Sequence, residues 1–289
     1  MLNQSERKAI ILYYTCSKNT ERLAKEAELV TKECGWQTES ILLRTAVKED
    51  IQPENLDFII LGTPVQYFTV PEAALKLIKK LPEFNGTPAF VFSTYGGCVT
   101  NNVPYILAKE LSKKGAKIIG GAQFLAPHSC RINGDAAIGN VEEAFGKGRP
   151  NEKELDNFRD AISRAVRKIE SAEAQSIDPN RLKINTMSFI SSFMDSFSSL
   201  KMKRLFMPHV EINSGMCTGC KKCSIVCDSE SIDYDEDDMV LIDRNTCTKC
   251  YACIEQCNEG ALTTNWKQVE IIVRSMNKIA KNTTTTIVS

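Results

Sequence analysis

The sequence predicts an α/β fold, a doubly wound parallel sheet of five strands with a small α+β unit behind it. Two observations lead there. From residue 8 to about 174, short apolar runs alternate with longer amphipathic ones, the pattern of a parallel sheet covered by helices. Farther on, CTGCKKCSIVC recurs after an acidic spacer as CTKCYACIEQC, so the second unit is an internal duplication. A chain of 289 residues accommodates about two domains. Its 43% hydrophobic content and zero formal net charge describe an ordinary globular protein and point to neither a nucleic-acid partner nor a membrane surface.

Taken in order, strands are expected over 9–14, 38–43, 58–62, 89–93 and 117–125, with helices over 19–34, 71–81, 101–114 and 151–174. The last helix carries Leu155, Phe158, Ile162, Val166 and Ile169 near helical spacing. In such a sheet the ligand sits at the carboxyl ends of the strands, near the switch point of the strand order.

The first strand-to-helix turn reads YYTCSKNTERLAK, without a G-x-G-x-x-G or G-x-x-x-x-G-K fingerprint. It sets Thr15, Cys16, Ser17, Lys18, Asn19 and Thr20 at a helix N-terminus, where hydroxyls and backbone N–H groups suit one phosphate. A plain capped helix, with Asn19 or Thr20 as N-cap, fits the same residues. Two more loops fall at strand ends: Thr63, Pro64, Val65, Gln66, Tyr67 and Phe68 in one, and Thr94, Tyr95, Gly96, Gly97 and Cys98 in the other. The turn resembles the T/S-x-T/S-G-N-T phosphate loop of flavodoxins, with Lys18 in the place of glycine. That resemblance implies a flavodoxin-like sheet holding FMN, with Tyr67, Phe68 and Tyr95 as stacking candidates and Gly96 and Gly97 permitting close backbone approach.

In the duplicated segment, Cys217, Cys220, Cys223 and Cys227 recur at Cys247, Cys250, Cys253 and Cys257. Three thiolates two residues apart can wrap one corner of a cubane while backbone N–H groups bond its sulfurs. Zinc sites use paired C-x2-C or Cys/His sets, and disulfide frameworks suit short secreted chains. The segment from about 210 to 264 resembles a bacterial-type ferredoxin with two [4Fe–4S] clusters, in which the fourth cysteine of each run ligates the other run's cluster. The resemblance implies Cys217, Cys220, Cys223 and Cys257 for one cluster, and Cys247, Cys250, Cys253 and Cys227 for the other. Asp228 and Asn258 stand where that family usually has proline, a change that bears on local rigidity and potential.

As a whole the chain resembles flavodoxin–ferredoxin fusion proteins ("ferrodoxins") found mainly in anaerobes. The expected domains are 1–175 for FMN, 176–209 as a linker, 210–265 for the clusters, and 266–289 as a C-terminal helix and disordered tail. The resemblance implies electron transfer between the clusters and FMN, with a redox protein as donor or acceptor. An FMN oxidoreductase reducing a small substrate and an accessory donor to one dedicated enzyme are the other readings. A homodimer is one arrangement that would bring a cluster to the flavin.

The remaining segments carry weaker expectations. The stretch 127–150 is a candidate lid, with His128 and Cys130 as its reactive side chains, though a solvated loop accounts for it as well. Residues 187–206 put Phe189, Ile190, Phe193, Met194, Phe197, Leu200 and Met202 on one helical face, fit to pack against the two domains or, with Lys201, Lys203 and Arg204 beside it, to lie on a membrane surface. Val269, Ile272, Val273, Met276 and Ile279 trace another such face. Asp233, Asp235, Glu236, Asp237 and Asp238 read as a solvated hairpin tip that could steer a basic redox partner. Cys16, Cys34, Cys98 and Cys130 are assigned no chemistry. No leader or membrane span is read from the sequence, and with twelve cysteines the expected location is the cytoplasm.

Overall fold

Runs rich in Ile, Val, Leu and Phe form the central strands. The computed structural model describes residues 7–49, 51–67, 69–96, 102–127, 146, 148–183, 207–269, 271 and 285–288. Strands β1 (Lys8–Tyr13), β2 (Gln37–Leu42), β3 (Phe58–Pro64), β4 (Pro88–Tyr95) and β5 (Lys117–Leu125) lie parallel in the order β2-β1-β3-β4-β5. That is the flavodoxin-like doubly wound order, with its switch point between β1 and β3. β3 and β4 each run two residues past their expected ends, so Thr63, Pro64, Thr94 and Tyr95 belong to strands, with Thr63 paired to Ser93 and Pro64 to Thr94.

Helices cover both faces. On one, α1 (Asn19–Glu33) and α5 (Glu152–Glu170) pack over Ile11, Ile60, Phe90, Phe92 and Phe124. Phe158 of α5 meets the last three rings at centroid distances of 6.3, 5.6 and 5.1 Å. Gly62 leaves room for one of them, since a Cβ there would lie 2.1 Å from the Phe92 ring. On the other face, α2 (Leu43–Ala46), α3 (Glu72–Lys80) and α4 (Val103–Lys113) pack over Leu12, Ile59, Leu61 and Val91. Asn151 and Glu154 form a full capping box at the start of α5.

The sheet has a sixth strand. β10 (Thr286–Val288) pairs antiparallel with β5, Ile287 opposite Ala122, so the end of the expected disordered tail is ordered. β-Branched residues suit a pleated edge, and β5 would otherwise expose its unpaired backbone there.

The C-terminal unit pairs β6 (Val210–Ile212) with β9 (Leu262–Thr264), and β7 (Ile232–Tyr234) with β8 (Val240–Ile242). Two short helices, α6 (Lys222–Ile225) and α7 (Ala252–Gln256), each begin inside a cysteine motif. The acidic run tips the β7–β8 hairpin, with Asp235 to Asp238 exposed. Among the described residues the apolar core of this unit is Met207, Val210, Val240, Tyr251, Leu262 and Val269 with their immediate neighbours. So small a core needs a staple. Residues 187–206 and most of the expected final helix lie outside the described residues.

Candidate functional site

The duplication is visible in the backbone itself. Left-handed residues recur thirty positions apart: Gly219 and Lys249 (φ 65° and 53°), Lys221 and Tyr251 (both 60°), and Glu230 and Gly260 (51° and 66°). Such turns direct successive N–H groups inward, the arrangement that holds anionic sulfur. The two motifs enclose two small cavities of similar size, each about 20 Å³. Cys217, Cys220, Cys223 and Cys257 line the first, and Cys227, Cys247, Cys250 and Cys253 the second. Three cysteines of each motif thus meet the fourth of the other, the crossed grouping that the ferredoxin resemblance implies. Among the described residues no three His, Cys, Asp or Glu side chains converge on a single-ion site.

Polar contacts to sulfur are in place. The Ser231 N–H donates to Cys227 Sγ at 3.3 Å and the Lys249 N–H to Cys247 Sγ at 3.4 Å. Burial pushes the Cys253 thiol far up, reinforced by charge on Cys250, Cys247 and Cys227 around the same cavity. Burial also raises Cys247 and Cys223. Thiols so placed lose their protons to a metal rather than to water.

At the carboxyl ends of the strands, Lys18 is the residue before α1, at φ 65° and ψ −5°, with no side chain capping the helix. The left-handed conformation expected of glycine is therefore adopted by lysine. Neither Asn19 nor Thr20 is the N-cap, because both already lie inside α1. The first-turn N–H groups are left for an anion at the positive end of the helix. Asn19 Nδ2 donates to the Pro127 carbonyl at 2.8 Å and lies 3.3 Å from Ser17 Oγ. Thr20 is buried and shares a hydrogen bond with Thr94 between their hydroxyls, at 2.9 Å.

In the second loop, the Gln66 and Thr69 backbones bond each other around Tyr67, whose φ is 49°. Tyr95 is buried at the end of β4. Phe68, Gly97, Cys98, His128 and Cys130 lie outside the described residues. Thr63, Ser93 and Gln123 form a cross-strand row on β3, β4 and β5 near these loops. Their buried polar atoms, with Asn102 Oδ1, have no hydrogen-bond partner among the described residues. Buried polar atoms of this kind mark a place completed by bound water or ligand. The residues present therefore fit a phosphate-bearing group.

Sequence reasoning missed how the two units touch. The Tyr67 hydroxyl donates to the Lys249 carbonyl at 2.7 Å. Arg44, in α2, lies 3.5 Å from Asp228. The Tyr14 hydroxyl also bonds Asp228, whose pKa is raised by burial against the lowering pull of Arg44. Cys16 donates its S–H to Cys250, which is lowered to about 7 chiefly by that bond, while Cys16 stays protonated. No local pattern announces these pairs.

Residues 209–269 match the family model of the 4Fe-4S dicluster domain. The chain joins a flavodoxin-like sheet to a ferredoxin-type 4Fe-4S domain. Solved structures similar to its N-terminal part include a flavodoxin from the domain Archaea at 17% identity, covering 56% of this chain and 99% of that one with a TM-score of 0.40. The two-electron reduced flavodoxin of Megasphaera elsdenii is 20% identical, covering 54% of this chain and 99% of its own, TM-score 0.37. Rubredoxin oxygen:oxidoreductase from the anaerobe Desulfovibrio gigas is 12% identical with a TM-score of 0.38; the match covers 57% of this chain but 38% of that protein. No curated protein matches the chain. Among the described residues no helix is long and apolar enough to cross a membrane.

Proposed function

We propose that the chain is an iron–sulfur flavoprotein that carries electrons between two [4Fe–4S] clusters and FMN, exchanging them with a redox protein. The observation that carries this reading is the crossed grouping of eight cysteines around two cavities. Cys217, Cys220, Cys223 and Cys257 hold one cluster, and Cys247, Cys250, Cys253 and Cys227 the other, each supplying one-electron chemistry when bound. The turn Thr15, Cys16, Ser17, Lys18, Asn19 and Thr20 seats the FMN phosphate. The segments from Thr63 to Phe68 and from Thr94 to Cys98 surround its ring system. Lys18 supports this because its backbone keeps the anion-binding turn while its charge adds to it.

Anaerobically purified protein should contain about eight irons per chain and FMN rather than FAD. Cys227→Ser should disturb the cluster held by the second motif, and Cys257→Ser the cluster held by the first, each resolved by EPR. Stoichiometric zinc, or loss confined to the cluster of the mutated motif, would sink the assignment.

A further inference from the structure

The duplicated unit contains its own control, because each residue of one motif has a counterpart thirty positions away. Thr218, Cys220, Lys221 and Lys222 are exposed. Their counterparts Thr248 and Cys250 are half-buried, and Tyr251 and Ala252 are buried. Lys249 is buried as well, with Nζ 2.5 Å from the Met207 carbonyl. The same asymmetry separates Asp228 from Asn258: the first has a side chain 6% exposed, and the second is open to solvent. Tyr251 and Lys249 are covered within their own unit, by Pro208, Trp266 and Met207, whereas Asp228 and Cys250 are covered by residues of the other unit. The interdomain contacts on the second cysteine set come from the strand-end loops of the flavodoxin-like sheet, through Tyr14 and Cys16 after β1, Arg44 after β2 and Tyr67 after β3.

We propose that the cluster of Cys227, Cys247, Cys250 and Cys253 is the flavin-side centre and that of Cys217, Cys220, Cys223 and Cys257 the solvent-side port, with Arg44 as the positioning residue that clamps this order through Asp228. This rests on the flavoprotein reading above. Asp228 directly follows the ligand Cys227, so fixing its carboxylate fixes the ligand turn. Cys16 belongs at once to the phosphate turn and to the contact with Cys250, so the second cysteine set lies against that turn. When bound, the two clusters would supply one-electron chemistry, so an electron lost by one centre would be gained by its neighbour. A one-electron donor or acceptor protein exchanges with the exposed first set. Without Arg44 the buried Asp228 carboxylate loses its cation, and separating the halves becomes the way to rehydrate it.

The test compares anaerobic wild-type protein, carrying its iron and flavin, with Arg44→Ala and Arg44→Lys. In wild type, hydrogen exchange at amides 248–252 should be at least about tenfold slower than at 218–222. Arg44→Ala should shrink that difference by at least about threefold at unchanged iron content, and Arg44→Lys should restore much of it. After rapid reduction of the clusters, flavin reduction should slow by about tenfold in Arg44→Ala and recover in Arg44→Lys, because the tether alone no longer sets the orientation. Equal exchange in the two wild-type motifs, or protection left undiminished by Arg44→Ala, overturns the clamp. An unchanged flavin reduction rate overturns the order of the centres. Purified protein without flavin overturns the proposed function and the relay with it, while the exchange comparison still decides the clamp.

Discussion

The Tyr67 hydroxyl and the Lys249 carbonyl, 182 residues apart in sequence, are joined by a 2.7 Å hydrogen bond. Tyr67 makes it from a left-handed backbone conformation that costs a tyrosine about 1–3 kcal/mol, and its ring also packs against the small core of the dicluster unit. Tyr67→Phe should therefore lower stability by about 1 kcal/mol, the usual net worth of one hydrogen bond. Tyr67→Ala should lower it by about 2–4 kcal/mol, because the ring contacts go too. Denaturant unfolding followed by cluster absorbance measures both, with iron content as the control. Equal losses in the two variants would mean that the ring does not contribute.

Lys18 separates two effects that ordinarily coincide. Its φ of 65° is strained for any side chain, so Lys18→Gly should raise the thermal midpoint by the equivalent of about 1 kcal/mol. The same change removes a cation from the phosphate turn and should weaken FMN binding by about three- to tenfold. Calorimetry of flavin-free protein reads the first effect and flavin titration the second. A variant that is both more stable and binds FMN as tightly as wild type would remove Lys18 from the phosphate site.

Glu28 makes the N-terminal half acid-sensitive. Burial tends to raise its pKa, but hydrogen bonds from Lys25, Lys32 and Ser40 outweigh this and lower it from 4.5 to about 2. The ionised group thus contributes stability above the unfolded pKa, and the contribution is lost as pH falls toward the folded one. Glu28→Gln should cost about 1–3 kcal/mol at pH 7, and the difference from wild type should shrink by more than half by about pH 3. Taking the difference between the two proteins cancels the acid sensitivity of the clusters. A difference that is constant from pH 7 to 3 would refute the lowered pKa.

What could be read in the sequence follows from the range of the interactions. The runs around Ile11, Ile60 and Phe90 declare a parallel sheet because each strand is apolar on both faces. Thr63, Pro64, Thr94 and Tyr95 look like loop residues, yet their backbones still pair in the sheet, so the strand ends are misplaced by two residues. The cysteine duplication is local and legible as a repeat, whereas the crossed grouping comes from the ferredoxin resemblance and not from the spacing. Arg44 with Asp228, and Cys16 with Cys250, are pairs between distant segments that leave no periodic trace. In the sequence Asp228 is only an absent proline, and its contact with Arg44 appears in the fold alone.

The last strand is the other feature that composition hid, since TTTTIVS reads as a low-complexity tail. Val288 passes so close to β5 that a Cβ on Gly120 would lie 2.9 Å from its carbonyl oxygen. Thr285 donates to the Glu154 carboxylate, which Arg149 also holds, and Ile287 packs against the core between α5 and the sheet. The chain end therefore closes the β5 edge and braces the start of α5. Deleting residues 285–289 should destabilise the N-terminal unit by about 1–3 kcal/mol, and Ile287→Asp should do the same by placing a carboxylate against apolar side chains. The deletion should also promote self-association, because it re-exposes an unpaired strand edge, whereas the charged variant should resist it. Calorimetry and light scattering on the two proteins distinguish these effects. A deletion that leaves both the midpoint and the scattering at wild-type values would show that β10 contributes nothing to holding the sheet.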